Sequence, residues 1–404
     1  MATPKLKLGN DKWATKQRSL LAYNDEGNNF KSLPFQVERL SGGSYVGRNG
    51  LVQYAATEEP RIDFTNYSKG ALLLEPQRTN NLLRSEEFDT SSWTKFSAGT
   101  GSNPAVTANY ATAPDGRQTA DRVIFDKGSG TTSSDLSQMR QIVTSVGQGV
   151  SSVYIKSNTS DSYIMGIDPV GNVTTIIVTP EWQRFTYSET TNDRLAIGLR
   201  GSQTSSFADV SVWGAQLEAG DYSTSYIPTA DSTATRIADL TENDSIPGDL
   251  INSTEGTLFI DFEYLYETTS SSSTDANRDI FVLGTSADIS EGISIDNYRS
   301  QFRVFVQGSG ITTQSIGNNT TGAAQPNTRY KLAVKYKTGD CKSYLNGSLL
   351  GSGTGTVNFV TDLNGIFFSY NSSSRPYKNQ KRVYDLQYFD EALTDAELQT
   401  LTTL

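Results

Sequence analysis

The sequence predicts an all-β protein: two tandem antiparallel β-sandwich or jelly-roll domains after an N-terminal arm, closed by one short C-terminal helix. Three observations predict it. Short runs of β-branched and aromatic residues recur along most of the 404 residues. Turn formers separate them, with 34 Gly and 12 Pro beside abundant Ser, Thr and Asn. No helical periodicity alternates with these runs, which argues against a parallel α/β sheet.

Residues 1–40 mix Lys and Arg with Asn and Asp and lack sustained periodicity. Ala14 to Ala22 offers a short helix anchored only by Leu20 and Leu21. The stretch reads either as an arm that needs a partner to order it, or as a first strand and loops of the next domain. Residues 41–240 form the expected jelly roll. Val153–Lys156, Thr175–Val178, Arg184–Tyr187, Leu195–Leu199 and Val210–Gly214 are its clearest strands, punctuated by turns such as Pro114-Asp115-Gly116 and Val170-Gly171-Asn172.

The polar stretch Thr241–Gly248 reads as a linker or a crossing strand, and 241–404 as the second sandwich. There the alternation is cleaner. Leu258, Ile260, Phe262 and Tyr264 share one face, with Asp261 and Glu263 on the other. Phe302, Val304 and Val306 repeat the pattern, as do Tyr330, Leu332, Val334 and Tyr336. Asn346-Gly347 is a hairpin signal. Thr394-Asp395-Ala396-Glu397 is a capping box, with Ala396, Leu398 and Leu401 as the buried stripe of its helix. The Ser/Thr tract 268–274 and the Asn/Ser tract 371–374 read as loops.

Composition excludes much chemistry. The chain has no His and one Cys, Cys341, so His-based triads, His-ligated zinc and internal disulfides are out. Its net charge of −10 disfavours phosphate backbones and anionic lipid. No window approaches the roughly 18 apolar residues of a membrane helix. The first residues lack an apolar signal core, so synthesis in a cytoplasm is expected.

Carboxylate chemistry and oxygen-ligated cations remain. Asp261 and Glu263 are the best carboxylate pair, read chiefly as a solvated face paired with Lys331 or Lys335. Asp126, Asp135, Asp161 and Asp168 lie near loops suited to Ca²⁺, with ordinary turn chemistry as the simpler reading. No cofactor is expected. Trp93, Trp182 and Trp213 read as packing. Loop aromatics are better candidates for stacking on a pyranose: Tyr298 beside Arg299, and Tyr370 with Asn371, Arg375 and Tyr377. Glu75 and Arg78 read as a structural bend in which Arg78 bonds Glu75 or a carbonyl.

Three blocks carry a resemblance. The first is Asn49-Gly50-Leu51-Val52, Glu59–Phe64 and Gly70–Asn80. The second is Ser85-Glu86-Glu87-Phe88 with Trp93-Thr94-Lys95 and Ala113-Pro114-Asp115-Gly116. The third is Trp213–Gly220, Thr224–Thr229 and Ala234-Thr235-Arg236. They resemble the head-spike or tail-fibre module of tailed bacteriophages, a jelly roll similar to carbohydrate-binding modules. Residues 250–404 resemble the concanavalin A-like (laminin-G-like) sandwich that follows it, and Lys7–Ala14 resembles a virion-attachment leader. The resemblance implies a non-catalytic fibre or spike subunit of a virion. It would attach to other virion proteins through residues 1–40, be homo-oligomeric with a trimer favoured, and adhere to host surface polysaccharide. A purely architectural virion protein, and a depolymerase using a carboxylate pair, are the alternatives.

Overall fold

A computed structural model of the chain describes residues 2–16, 18–22, 33–167, 173–201, 203–265, 277–285, 291–298, 301–308, 311–318, 325, 327–368 and 381–404. Among these, the regular elements are β-strands and one C-terminal helix, α1 (Asp395–Thr402). The loop tracts 268–274 and 371–374 and the turn at 170–172 lie outside the described residues.

Beside the expected division into 1–40, 41–240 and 241–404, the chain splits into two compact units. One compact unit comprises Met1–Gly50, Ala55–Gln77 and Ile237–Leu404; the other comprises Leu51–Tyr54 and Arg78–Arg236. The second unit therefore interrupts the sequence of the first instead of preceding it. Of residues 1–40, the described segments Leu6–Gly9, Ser19–Ala22 and Leu33–Glu38 lie in sheets. Leu6–Gly9 pairs with Lys381–Phe389, setting Leu6 opposite Tyr388 and Leu8 opposite Leu386, and both leucines are buried. The helix at Ala14–Ala22 is replaced by strands Thr15–Lys16 and Ser19–Ala22. Burial there falls on Leu20 and Ala22, a period of two. The stretch read as a linker contributes the strand Leu240–Asn243, paired with Leu33–Glu38 and Gly365–Phe367.

The first unit has two sheets. One runs Ser348–Gly353, Cys341–Leu345, Thr328–Lys337, Glu255–Tyr264, Lys381–Phe389, Ala71–Leu74, Ile62–Asp63, with Leu6–Gly9 also against Lys381–Phe389. The other runs Thr15–Lys16, Ser19–Ala22, Leu33–Glu38, Leu240–Asn243, Gly365–Phe367, Asn277–Gly284, Gly292–Tyr298, Gln301–Gly308, Ile311–Asn318. The alternation expected of Leu258, Ile260, Phe262 and Tyr264 holds, and all four are buried. Phe262 meets Phe281 and Phe302 of the second sheet edge-on at 6.0 and 5.7 Å.

Phe259 points the other way and is buried with Ala333, Tyr344, Phe389, Leu393 and Leu398. α1 covers this outer patch. Its capping box forms as expected, with Thr394 Oγ1 accepting from the Glu397 amide and the Glu397 carboxylate accepting from the Thr394 amide. Leu398 is buried, whereas Ala396 is exposed and Thr402 takes the buried place. Lys335 holds the helix start by donating to Asp395 at 3.0 Å. The Asn346-Gly347 turn has φ of 48° and 80°, the left-handed pair that a two-residue hairpin needs.

The second unit is a sandwich of two five-stranded antiparallel sheets. They run Thr94–Ala98, Leu136–Ile142, Arg194–Arg200, Tyr163–Ile167, Thr174–Val178 and Ser102–Ala111, Ala120–Asp126, Phe207–Ala219, Gly149–Ser157, Gln183–Glu189. Every strand expected within residues 153–214 lies inside one of these. Val123, Phe125, Met139, Val153, Ile155, Ile197, Val210 and Val212 fill the space between. Trp93 belongs to this core. Trp213 does not: it sits in a second cluster with Val52, Ala113, Ala120 and Tyr226, and Trp182 packs at that cluster's margin, partly buried. The strand carrying Trp213 slips register between Trp213 and Gln216. Gly214, at φ 65°, makes the local bend that turns Trp213 outward.

Candidate functional site

The second and third blocks noted in the sequence, with Arg78–Asn80 from the end of the first, are the stitching of the second unit, whereas Glu59–Phe64 and Gly70–Gln77 lie in the first. Asn80, closing the first block, is fully buried. Its amide nitrogen donates to the carbonyls of Ala215 and Ile227 at 3.0 and 2.8 Å. Its oxygen accepts from the amides of Leu82 and Leu217, both at 3.1 Å. Glu218 is equally buried and accepts from the Thr224 amide (2.8 Å), the Thr224 hydroxyl (2.6 Å) and Gln216 (2.8 Å). A buried carboxylate needs this degree of satisfaction. Val52 donates its amide to Pro114 at 2.9 Å.

These contacts place one open cleft, of about 590 Å³. It is lined by Tyr54, by Glu86 and Glu87, by Arg117, and by the turn Pro228–Ala230. Glu86 and Glu87 come from the second block and Pro228 and Thr229 from the third, with Tyr54 and Arg117 just outside them. Ser85 Oγ accepts the Thr229 amide (2.8 Å) and lies 2.7 Å from the Tyr226 hydroxyl. Tyr226 also reaches Glu86 at 3.1 Å, while its ring lies 4.6 Å from Trp213. Arg117 follows the Pro114-Asp115-Gly116 turn and donates to Asp115 at 2.6 Å and to Glu86 at 3.1 Å. Arg84 donates to Glu87 at 2.7 Å and also to Asp231. Arg84 is held at φ 51°, a left-handed conformation uncommon for a non-glycine residue. Its amide donates to Ala230 and its carbonyl accepts from the Trp93 indole, which maintain it.

The electrostatics follow. Burial pushes the Glu86 carboxyl up, with Arg117 and Tyr226 opposing. Burial, with the nearby Glu86 and Asp115 charges, pushes the Tyr54 hydroxyl above its ordinary value. Tyr54, an exposed residue on the cleft wall, brings an aromatic ring beside fixed hydrogen-bonding groups. This arrangement can stack a sugar ring and bond its hydroxyls; it presents no nucleophile with a paired base.

Of the residues singled out as sugar-binding candidates, one lies in a described strand. Tyr298 ends the strand Gly292–Tyr298, opposite Gln301. Arg299, Tyr370, Asn371, Arg375 and Tyr377 lie outside the described residues. Tyr54, Glu86, Glu87 and Arg117, which line the cleft, were not singled out as candidates, although Glu86 and Glu87 stand in the second block.

Asp261 and Glu263, in the first unit, do not pair with Lys331 or Lys335. Arg329 grips Asp261 with two 2.6 Å bonds. Glu263 accepts from Tyr384 at 2.7 Å and Arg382 at 3.3 Å. Both arginines arrive from neighbouring strands whose side chains share that face. Lys331 instead donates to the Thr403 carbonyl at 2.6 Å. Asp385, directly across the ladder from Asp261, is pushed up to about 6, first by burial and then by Asp261, with Gln387 opposing.

Of the aspartates weighed for calcium, Asp135 accepts from the amides and hydroxyls of Thr132 and Thr100. Those bonds hold its carboxyl well below the usual range. Asp126 accepts from the Gly128 amide in a turn, Asp161 is exposed, and Asp168 lies outside the described residues. Among the described residues, no group of three or more His, Cys, Asp or Glu is placed to hold a metal ion. Glu75 bonds Arg61, and Arg78 lies near Glu218 and the Tyr222 ring. Cys341 is buried in its strand, and burial pushes its thiol up.

No family model and no curated protein matches the chain. Solved structures similar over part of it include the following three. The receptor binding domain of botulinum neurotoxin C/D mosaic serotype is 12% identical with a TM-score of 0.33, covering 40% of each chain. The Ruminococcus gnavus IT-sialidase CBM40, bound to α2,3-sialyllactose, is 14% identical with a TM-score of 0.29, covering 38% of this chain and 84% of that one. Domain 4 of AbnA, a GH43 extracellular arabinanase from Geobacillus stearothermophilus in complex with arabinotriose, is 18% identical with a TM-score of 0.32, covering 46% and 83%. The chain spans two fifths of the length of that neurotoxin domain. Likeness at this level carries no information on activity.

Proposed function

We propose that this chain is a non-catalytic adhesive subunit of a tailed-bacteriophage virion, and that the cleft of its second unit binds host-surface glycan. The observation that carries the reading is convergence. Blocks far apart in sequence, which resemble those of phage spikes and fibres, meet around one open cleft with an exposed Tyr54 beside Glu86 and Arg117. An aromatic face with fixed polar groups around it is the arrangement that carbohydrate recognition needs. The arginine clamp on Asp261 supports a non-catalytic role, because a carboxylate bonded through both oxygens is poorly placed to attack or to accept a proton.

Adhesion would be weak per site and multiplied by linked copies, a trimer being favoured; linkage raises avidity by roughly 10²–10⁴-fold. Residues 6–9 lie within a sheet of the first unit, so attachment to other virion proteins is assigned to no particular segment. The test is a glycan array at millimolar ligand with purified full chain and Tyr54→Ala beside it. Tyr54-dependent signals on host-surface polysaccharides are expected. Silence across them would overturn the adhesive reading. An image of the intact particle that finds no copy of the chain would overturn the virion assignment.

A further inference from the structure

We infer that the cleft of the second unit selects glycans bearing free amines and rejects acidic ones. This rests on the adhesive reading above and deepens it to a ligand class.

The charges decide the matter. The cleft is lined by Glu86, Glu87 and Arg117, and their ion-pair partners Asp115, Asp231 and Arg84 bring the local count to four carboxylates against two guanidiniums. Each guanidinium is already shared between two carboxylates: Arg117 between Asp115 and Glu86, Arg84 between Glu87 and Asp231. An incoming carboxylate would have to compete with those bonds for its cation. The more exposed carboxylates are Asp231 and Glu87, whereas the exposed Arg117 is already bonded to Asp115 and Glu86. The Asp231 side chain is 80% exposed and that of Glu87 47%. Glu87 meets Arg84 through Oε2.

The local balance is therefore two negative charges, and the whole chain adds the same sign at −10. A concave surface focuses such a field. An ammonium group seated between Glu87 and the Tyr54 face would meet both a carboxylate and the negative face of a ring. A uronate, sialate or phosphate in that place meets repulsion. Because the groups are partly exposed, the preference is screened by salt.

The test is titration calorimetry of the full chain with three tetrasaccharides: glucosamine tetramer, its fully N-acetylated counterpart, and tetragalacturonate. The expected order is amine, neutral, acid, with at least about tenfold between the first and last at 50 mM NaCl and a smaller ratio at 500 mM. Glu87→Gln and Asp231→Asn should each reduce the amine preference, and Tyr54→Ala should weaken every ligand that binds. Tetragalacturonate binding as tightly as the amine, in a Tyr54-dependent way, would overturn the selectivity while leaving adhesion intact. So would an amine preference unmoved by both carboxylate variants. Failure of all three, together with silence on the wider array, would overturn the adhesive reading and this inference with it.

Discussion

The hydroxyl of Tyr226 lies 3.1 Å from Glu86 while its ring packs 4.6 Å from Trp213, so the carboxylate at the cleft is held by the apolar cluster beneath it. Tyr226 is buried, and its hydroxyl also lies 2.7 Å from Ser85 Oγ. Tyr226→Phe keeps the ring and removes both bonds. It should lower stability by about 1 kcal/mol. Glycan affinity should fall several-fold, because Glu86 loses one of the groups that orient it. Urea unfolding beside calorimetric binding checks both.

Arg61 is the centre of a buried ionic group in the first unit. It donates to Glu75 at 2.7 Å, to the Ser44 carbonyl at 2.8 Å and to Asp239, which Arg39 meets at 2.7 Å on its other oxygen. Arg61→Met would leave Glu75 without this partner in a dry site and should destabilise by about 3–5 kcal/mol. Arg61→Lys should also destabilise, since an ammonium cannot reproduce the fork. The midpoint of urea denaturation measures both.

Asp385 makes stability depend on mild acidity. Its folded value of about 6 lies above its ordinary 3.8, so the folded state binds the extra proton between those limits. The contribution therefore favours folding at low pH and is lost as pH rises through 6. Asp385→Asn should raise the melting temperature at pH 7 and leave it nearly unchanged at pH 4. The upper limit is about 3 kcal/mol, at 1.36 kcal/mol per unit. Calorimetric scans of both proteins from pH 4 to 7.5 give the difference, which would vanish if burial did not disfavour the charge.

Gly347 occupies φ 80° in the Asn346-Gly347 turn. A side chain there meets only Thr403 at 3.3 Å or more, so space is adequate and the backbone angle is the obstacle. Gly347→Ala should cost about 1 kcal/mol through left-handed strain alone, while Gly248→Ala, with nothing within 4 Å and no positive φ, should be near neutral. Thermal melts of the two variants make the comparison.

The fold class was legible because its signals are local. Leu258, Ile260, Phe262 and Tyr264 alternate whatever lies across the ladder, and Asn346-Gly347 and Thr394–Glu397 act over two to four residues. The Ala14–Ala22 stretch was not, since an adjacent Leu20-Leu21 pair suits either period until a neighbouring strand selects one. The cleft was half legible. Glu86 and Pro228 stood in recognisable blocks, but no local pattern says that Tyr54 and Arg117 flank the same space.

Alternation, turn chemistry and the lack of histidine thus established an antiparallel β protein with a narrow chemical range before any contact was known. Folding alone chose the partners. Asp239 meets Arg61 from 178 positions away and Asp261 takes Arg329 rather than Lys331. Strand order and register, which depend on burying whole faces at once, bring such groups together; sequence spacing carries no record of that summed effect.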